Sequence, residues 1–382
     1  MKHPLRIIYT GAFLFSLGSA LLAYVNSGFV ASFVGESKVG LVYAASSVIN
    51  LIFLILAPKI DSIFGNRRLI SFFALVASFC LLGLVKASDA TVAIPLFILY
   101  LSSMTIVMFS LDIFVEAFSK DENTGHNRGF FLTTINIAWI MSPLLSGYLI
   151  TLGGYRAIIP LTALALMMVS FIFSHFMRAF KDPAYQEIDP RETLKKIRED
   201  RNLSLTLVLQ FLLQFFFSIM VIYTPIYLHS HIGLSWQTIG AVFTVMLLPF
   251  GLFQIPLGVI ADKYLGEKEI MFFGFIIMAI AVFFVPNITM AVFAPWAIVL
   301  FLSRTGAASV EVMTETYYFK KINSGDAGLI SALRSMVPLA YITGPLVASL
   351  VIEFYEIKSI FYILGFMMLL GALITLFIKD TK

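Results

Sequence analysis

The sequence predicts an all-α membrane protein of twelve transmembrane helices, arranged as two pseudo-symmetric six-helix bundles. Three observations lead to this prediction: apolar runs of about 20 residues, a charged fraction of only 13%, and motifs that occur twice in the same order. An ordinary soluble domain has roughly 25% charged residues. Backbone polar groups need internal partners in the bilayer, so the runs are predicted to be helices rather than open sheet.

The twelve predicted spans divide the chain into two domains and a linker. The first six spans form a predicted domain over residues 1–178, and the last six form one over 203–382. Residues 179–202 are the predicted cytoplasmic linker, which we interpret as a solvated tether carrying a charged helix from Arg191 to Glu199. The spans are residues 6–34, 39–58, 69–87, 91–118, 128–152, 157–178, 203–230, 236–258, 269–287, 290–318, 328–353 and 358–379.

Three motifs of the first half recur in the second half at nearly one spacing. The first motif has the pattern small-x-x-x-Asp-x-x-x-Gly-x-basic, and its two copies are offset by 201 residues. The other two motifs are offset by 199 and 202 residues. The motif at residues 57–67 recurs at 258–268, the motif at 110–116 recurs at 309–315, and the motif at 138–147 recurs at 340–349. Such ordered repetition indicates a duplicated half.

The distribution of Lys and Arg predicts that both termini lie in the cytoplasm. In this orientation twenty basic residues fall on the inner side, and only Lys38, Lys86, Arg156 and Lys358 fall on the outer side. Cytoplasmic loops of membrane proteins carry such an excess of Lys and Arg. The predicted location is therefore the inner cell membrane, and the net charge of +4 needs no nucleic-acid partner.

The repeated loop resembles the signature of the major facilitator superfamily, and the resemblance covers essentially the whole chain. That signature reads Gly-x-x-x-Asp-Arg-x-Gly-Arg-Arg. In the first copy Ala57 replaces the glycine and Ser62 the first basic residue, and both copies place the second glycine one residue later. The resemblance implies a secondary transporter. The matching positions of the second copy are Gly258, Asp262, Lys263, Gly266 and Lys268.

The fifth span resembles the Gly-x-x-x-Gly-Pro-x-x-Gly-Gly signature of drug/proton antiporters. Ala138, Ser142 and Ser146 replace three of its glycines. Small residues let helices approach closely, and Pro143 can bend the helix. Because the eleventh span repeats the pattern, a role in helix packing is favoured, and a role specific to antiport is the alternative.

A gating role is predicted for residues at the cytoplasmic ends of the helices. The resemblance implies that clusters of carboxylates and arginines lock these ends together in one state of the transport cycle. For Asp112, Glu116 and Glu315 proton carrying is the alternative. The predicted gating residues are Asp61, Gly65, Arg67, Arg68, Asp112, Glu116, Arg128, Asp262, Lys263, Gly266, Lys268 and Glu315.

The tenth span carries three charged residues on one face. Arg304 lies near its middle, and Glu311 and Glu315 follow seven and eleven residues later, within about 40° on the helix. Charges inside a membrane normally face a partner or a cavity. We therefore expect Arg304 to bind substrate and Glu311 either to carry a proton or to belong to the lock. Arg334 of the eleventh span is the expected ion-pair partner of Glu311.

Other polar residues within the spans are candidates to line a substrate cavity. A hydrogen bond that ties two helices together is the alternative for each of them. Gln210 and Gln214 lie one turn apart on one face of the seventh span. The candidates are Asn26, Asn50, Asn136, Trp139, Gln210, Gln214, Tyr223 and Tyr341.

The sequence contains no phosphate-binding loop, metal-ligand cluster or nucleophile–base pattern. An enzyme, an ATP-driven pump, a metal and a cofactor are therefore not expected. The favoured interpretation is a proton-coupled antiporter of a small organic solute, a monomer in membrane lipid, with efflux preferred over uptake. The alternatives are a nutrient or sugar-type importer of the same fold and a non-transporting membrane sensor or scaffold.

Overall fold

The computed structural model describes residues 4–118, 124–178, 190–261, 265–322 and 327–379. Side chains are described for these residues except at 4, 57, 58, 62, 116–118, 124–130, 132, 190, 255 and 327. Within the described ranges all regular secondary structure is helical. The prediction of an all-helical fold is confirmed.

The helices fall into two compact units. Unit 1 comprises the described residues up to 178 together with Ser235–Ala241. In it α4 packs between α5 and α7, and α1 packs between α6 and α7. The helices up to residue 178 are α1 (Pro4–Ala23), α2 (Asn26–Val34), α3 (Glu36–Phe64), α4 (Asn66–Lys86), α5 (Ala90–Phe118), α6 (Thr124–Gly153) and α7 (Tyr155–Phe176).

Unit 2 comprises the remaining described residues and repeats this packing pattern. Its α12 packs between α13 and α15, and α9 packs against α14 and α15. The short α8 (Pro190–Glu199) precedes the membrane helices of this half. These are α9 (Arg201–Ile226), α10 (Trp236–Leu252), α11 (Gln254–Ile260), α12 (Glu267–Phe284), α13 (Phe293–Lys321), α14 (Ala327–Phe354) and α15 (Ser359–Thr375). The first six residues of α10, 236–241, belong to unit 1.

The helices have the length and composition of membrane spans. Among the described residues eleven helical segments are long and apolar enough to cross a bilayer, and α15 is a shorter apolar helix at the twelfth predicted span. Large apolar side chains such as Ile55 and Phe366 are exposed on their outer surfaces. This arrangement suits a lipid environment, since lipid chains solvate apolar side chains at no cost.

Two predicted spans are broken where a single helix was expected. The first span is interrupted after Ala23, and the chain resumes as a helix at Asn26. The eighth span is interrupted at Phe253, between α10 and α11. Pro249 lies one turn before this break and lacks the N–H that would bond to the preceding turn, so it locally weakens the helix. The seventh span shows a related irregularity, because α9 continues as a π-helical turn from Tyr227 to His231.

Candidate functional site

The two copies of the repeated loop turn at a glycine in the same backbone conformation. Gly65 lies between α3 and α4 with φ of 80°, and Gly266 precedes α12 with φ of 91°. Residues with a Cβ atom adopt positive φ only with strain, so glycine is required at both turns. We call the end of each unit that carries this glycine its motif end.

The basic residue that follows each glycine caps the last helix of its own unit. Arg67 Nη1 donates a hydrogen bond to the carbonyl oxygen of Ser174, near the end of α7, at 3.0 Å. Lys268 Nζ donates to the carbonyl oxygen of Leu376, just after α15, at 3.0 Å. Helix C-termini present unpaired carbonyls and partial negative charge, which cations stabilise. Arg68 is exposed beside this cap.

The residue between the glycine and the basic residue also has an equivalent role in the two units. Asn66 is buried, and its Nδ2 donates to the carbonyl oxygen of Ser110 on α5 at 2.9 Å. Glu267 is buried and pairs with Lys320 Nζ on α13 at 2.5 Å. Each side chain thus ties the start of one helix to its neighbour. Neither residue was predicted as a functional residue, because Asn66 and Glu267 differ in chemistry and only their contacts show the common role.

The predicted gating carboxylates have different surroundings. Asp61 is fully buried near the end of α3, whereas Asp112 is exposed on α5. Asp262 and Lys263 lie outside the described residues, as do the side chains of Glu116 and Arg128.

The guanidinium of Arg304 is enclosed within unit 2. The side chain is 1% exposed. Its Cζ atom lies 5.0 Å from the ring centroid of Phe216 and 5.1 Å from that of Phe217, both on α9. These distances are typical of cation–π interactions. The charge in the middle of α13 therefore faces α9 rather than lipid.

Glu311 lies two turns further along α13 and is half-buried. Its Oε2 atom accepts a hydrogen bond of 3.4 Å from Gln254 Nε2. Gln254 is the first residue of α11, directly after the break at Phe253. Glu315, Arg334 and Arg304 are the charged residues that interact electrostatically with Glu311. Gln254 was not among the predicted candidates, although it is a polar residue inside an apolar run, as Gln210 is.

The expected ion pair between Glu311 and Arg334 is wrong. Arg334 Nη1 instead lies 2.7 Å from Glu315 Oε1. Glu315 is one helical turn nearer to the motif end than Glu311, and Arg334 lies about two turns into α14. The two side chains are 46% and 36% exposed. A pair with this exposure contributes little to stability, about 0–1 kcal/mol, and can open at small cost.

Two of the other polar candidates tie helices together. The hydroxyl of Tyr223 on α9 donates to the carbonyl oxygen of Pro345 on α14 at 3.2 Å. Asn26 at the start of α2 forms a side-chain hydrogen bond with Tyr100 on α5. In unit 1 Ser146 Oγ also ties α6 to α1, donating to the carbonyl oxygen of Leu21 at 2.6 Å. Ser146 and Pro345 belong to the two copies of the small-residue motif, so these contacts support its packing role.

The remaining polar candidates among the predicted site residues are Gln210 and Gln214 in unit 2 and Asn136 in unit 1. Gln210 and Gln214 are buried on the same face of α9 as Phe217. The Oε1 atom of Gln210 accepts no hydrogen bond from the described residues. Asn136 is half-buried on α6, in unit 1. No three His, Cys, Asp or Glu side chains in the described part of the chain form a group that could hold a metal ion.

Comparison with known proteins places these features in a family. The model of the Major Facilitator Superfamily matches residues 8–243 and 227–382. The multi-drug resistance efflux pump PmrA of Streptococcus pneumoniae, in strains TIGR4 and R6, is 28% identical over 171 residues. That alignment covers 43% of this chain and 41% of the pump, so the chain matches less than half the length of these relatives.

Solved structures of transporters share the fold at low sequence identity. A point mutant of the nucleoside transporter NupG has a TM-score of 0.77 at 10% identity, over 98% of this chain and 99% of its own. The POT family transporter PepTSo has a TM-score of 0.80 at 11% identity, over 98% and 97%. An auto-inhibited POT family peptide transporter has a TM-score of 0.79 at 12% identity, over 98% and 96%. At these identities the likeness concerns the fold alone.

Proposed function

This chain belongs to the major facilitator superfamily, and from that premise we propose that it is a proton-coupled antiporter that exports a small organic solute by alternating access. Members of the family are transporters and are generally not enzymes. The proposal adds a coupling ion, a direction and a set of residues to the family assignment. The observation that carries it is the polar series along α13 in unit 2.

The series combines one cation with two carboxylates of different environment. Arg304 is buried under two phenylalanine rings, Glu311 is hydrogen-bonded to an amide, and Glu315 is paired with Arg334. Of the two carboxylates, only Glu315 has a full charge as its direct partner among the described contacts. A long hydrogen bond from a neutral amide compensates the negative charge of a half-buried carboxylate only in part. Glu311 is therefore the group that we assign to proton binding.

We assign solute binding to Arg304 and the adjacent face of α9. Arg304 lies about 10 Å from Glu311 along the helix axis, because seven residues separate them. Gln210 and Gln214 offer amide groups on the α9 face that carries Phe217. In the described conformation the rings of Phe216 and Phe217 cover the guanidinium, so the solute gains access to it when α9 shifts. Charged side chains of this kind mark solute pathways in transporters.

The proposed gating pair is Arg334 and Glu315. Its partial exposure makes the pair weak enough to break in each cycle. The repeated loops complete the gate in this proposal, with Asp61 and Asp262 as its carboxylates. Both termini are proposed to lie in the cytoplasm of a bacterial-type inner membrane, on the basis of the Lys and Arg bias. Similarity to the efflux pump PmrA supports export over import.

The proposal is tested with purified protein in proteoliposomes. A solute is first chosen as the small organic compound that most raises the melting temperature of the protein. Glu311→Gln is expected to abolish accumulation of this solute driven by a proton gradient, because the amide cannot bind the coupling proton. Exchange of solute down its own gradient is expected to persist, since that exchange needs no net proton movement.

Glu353→Gln is the matched control, because Glu353 is an exposed carboxylate on α14. It is expected to retain both activities. If Glu311→Gln leaves proton-driven accumulation unchanged, Glu311 does not couple transport to protons. Its remaining role would then be in the cluster of carboxylates and arginines that holds the helix ends together. Proton-driven uptake in the opposite direction would favour the importer, and solute binding without transport of any kind would favour the sensor.

A further inference from the structure

The short helix α8 is fixed to the motif end of unit 2. Only Asp200 separates α8 from α9, and its Oδ1 atom accepts hydrogen bonds from the N–H groups of Asn202 at 2.8 Å and Leu203 at 3.2 Å. Ser204 Oγ donates to the carbonyl oxygen of Ile197, in the last turn of α8, at 2.5 Å. These bonds satisfy exposed ends of both helices and so fix the angle between them.

Apolar packing holds the same helix against the bundle. Ile197 of α8 packs against a buried cluster on α9, α13 and α14, formed by Leu203, Leu207, Tyr318, Leu329 and Leu333. One face of α8 is therefore attached to the bundle, while most of its other side chains are exposed, as in a solvated segment. An isoleucine within a charged run anchors the helix, and the sequence pattern alone did not indicate a partner for it.

This attachment sets the height of α8 relative to the membrane. The apolar span that contains α9 begins at Arg201, two residues after α8 ends. The hydrocarbon core is therefore reached within the first turns of α9. Since α8 is fixed beside that first turn, a bilayer around this span would bring its headgroups to the level of α8.

One face of α8 combines cations with an exposed leucine. Arg191, Leu194, Lys195 and Arg198 follow the spacing i, i+3, i+4, i+7 and so form one stripe, which we call the basic stripe. Leu194 is 53% exposed. The side chain of Lys195 is 74% exposed, and its Nζ atom lies 3.8 Å from Oε1 of Glu199, which is 66% exposed. The pair of Lys196 with Glu192, at 3.3 Å, lies outside the stripe on the adjoining side of the helix.

We propose that the basic stripe binds anionic phospholipid headgroups, with Leu194 inserted at the boundary between headgroups and acyl chains. Basic residues near an anionic bilayer are attracted to it, and apolar side chains between them add burial in the interface. A soluble partner could also match the positive charge, but the position of α8 beside the first turn of a membrane span favours lipid. The proposal is independent of the transported solute and of proton coupling.

The test uses the full-length protein reconstituted in vesicles with increasing fractions of phosphatidylglycerol in phosphatidylcholine. An environment-sensitive fluorophore is attached to Leu194→Cys in a Cys80→Ala background, since Cys80 is the single cysteine and is buried. We expect the probe to be quenched by lipids that carry a shallow spin label, and the quenching to increase with phosphatidylglycerol. Adding Lys195→Gln is expected to weaken the apparent affinity for phosphatidylglycerol about five-fold, as removal of one cation near the surface predicts.

Lys196→Gln is the matched control, because it makes the same chemical change at the next residue but outside the stripe. It is expected to shift the phosphatidylglycerol dependence less than two-fold. Quenching that is independent of phosphatidylglycerol would overturn the proposal, as would equal effects of Lys195→Gln and Lys196→Gln. The same comparison is repeated without a probe, by measuring how much phosphatidylglycerol raises the melting temperature of each variant. A stabilisation that Lys195→Gln leaves unchanged would also overturn it.

Discussion

Units 1 and 2 share their loops but differ in the polar groups of their helices. The motif-end glycines, the basic helix caps and the ties at Asn66 and Glu267 occur in both. The acidic positions Asp112 and Glu311 are also equivalent, with an offset of 199. At the repeat offsets, Arg304, Arg334 and Gln254 correspond to Thr105, Leu132 and Phe53, so the charges and the amide at these three positions are not repeated. Features that the duplication preserved are thus mostly structural, and the unrepeated features mark the proposed coupling and solute site.

The equivalents of the unit 2 groups in unit 1 are satisfied locally. At the offset of 199, Arg304 corresponds to Thr105, whose hydroxyl donates to the carbonyl oxygen of Leu101 in its own helix. At the offset of 201, Gln254 corresponds to Phe53, which packs on the buried pair Leu69 and Ile106. These positions in unit 1 contribute packing without placing a charge or an amide at depth.

The largest effect is expected from Arg304→Ala. It should weaken solute binding about ten- to hundred-fold, because hydrogen bonds to a charged group contribute about 1.5–3 kcal/mol. Thr105→Ala, the equivalent change in unit 1, should alter binding less than two-fold, since its hydroxyl bonds only to its own helix. Binding is measured by titration calorimetry on purified variants whose melting temperatures are checked first. Equal loss of binding in both variants would contradict the proposed difference between the two units in solute binding.

A smaller and symmetric effect is expected at the motif-end glycines. Gly65→Ala and Gly266→Ala should each lower the free energy of unfolding by about 1–2 kcal/mol, the cost of a Cβ atom at positive φ. The loss should be similar in the two units, because φ is 80° and 91°. Thermal unfolding in detergent measures it. A loss confined to one glycine would show that the loops are not structural equivalents.

Much of the fold could be predicted from the sequence because duplication doubles each signal. The apolar runs and the paired loops indicated the helices and the two halves, and the offset of 201 predicted equivalent turns at Gly65 and Gly266. The partner of Arg334 could not be predicted. Glu311 and Glu315 are one turn, about 6 Å, apart along the helix, and span ends inferred from hydropathy are uncertain by a similar length.

Two other features lacked a sufficient sequence signal. The break at Phe253 and the hydrogen bond from Gln254 to Glu311 depend on how α11 is aimed at α13, which is set by tertiary packing rather than by local pattern. Asn66 and Glu267 differ in chemistry, so comparing residue types across the repeat did not identify their common role. Only the direction of each side chain showed that both tie neighbouring helices.

The smallest effect is expected from removing the helix caps. Arg67→Ala and Lys268→Ala should each lower the free energy of unfolding by about 0.3–1 kcal/mol, the usual contribution of a cation at a helix C-terminus. Arg68→Ala is the control, because Arg68 is the exposed neighbour of Arg67, and it should change stability by less than about 0.5 kcal/mol. Denaturant titrations of the three variants compare them. If Arg67→Ala abolishes transport without changing stability, Arg67 acts in gating, as the sequence predicted, rather than only as a helix cap.

The central claim is that the two equivalent carboxylates Asp112 and Glu311 differ in function, and it is tested most directly by the number of protons moved per solute. Solute flux and internal pH are recorded together in proteoliposomes for the parent protein, Asp112→Asn and Glu311→Gln. We expect the parent and Asp112→Asn to move protons with each solute at the same ratio, even where the rate falls. Glu311→Gln is expected to move solute with no accompanying protons. An unchanged ratio in Glu311→Gln, or its loss in Asp112→Asn, would contradict the claim.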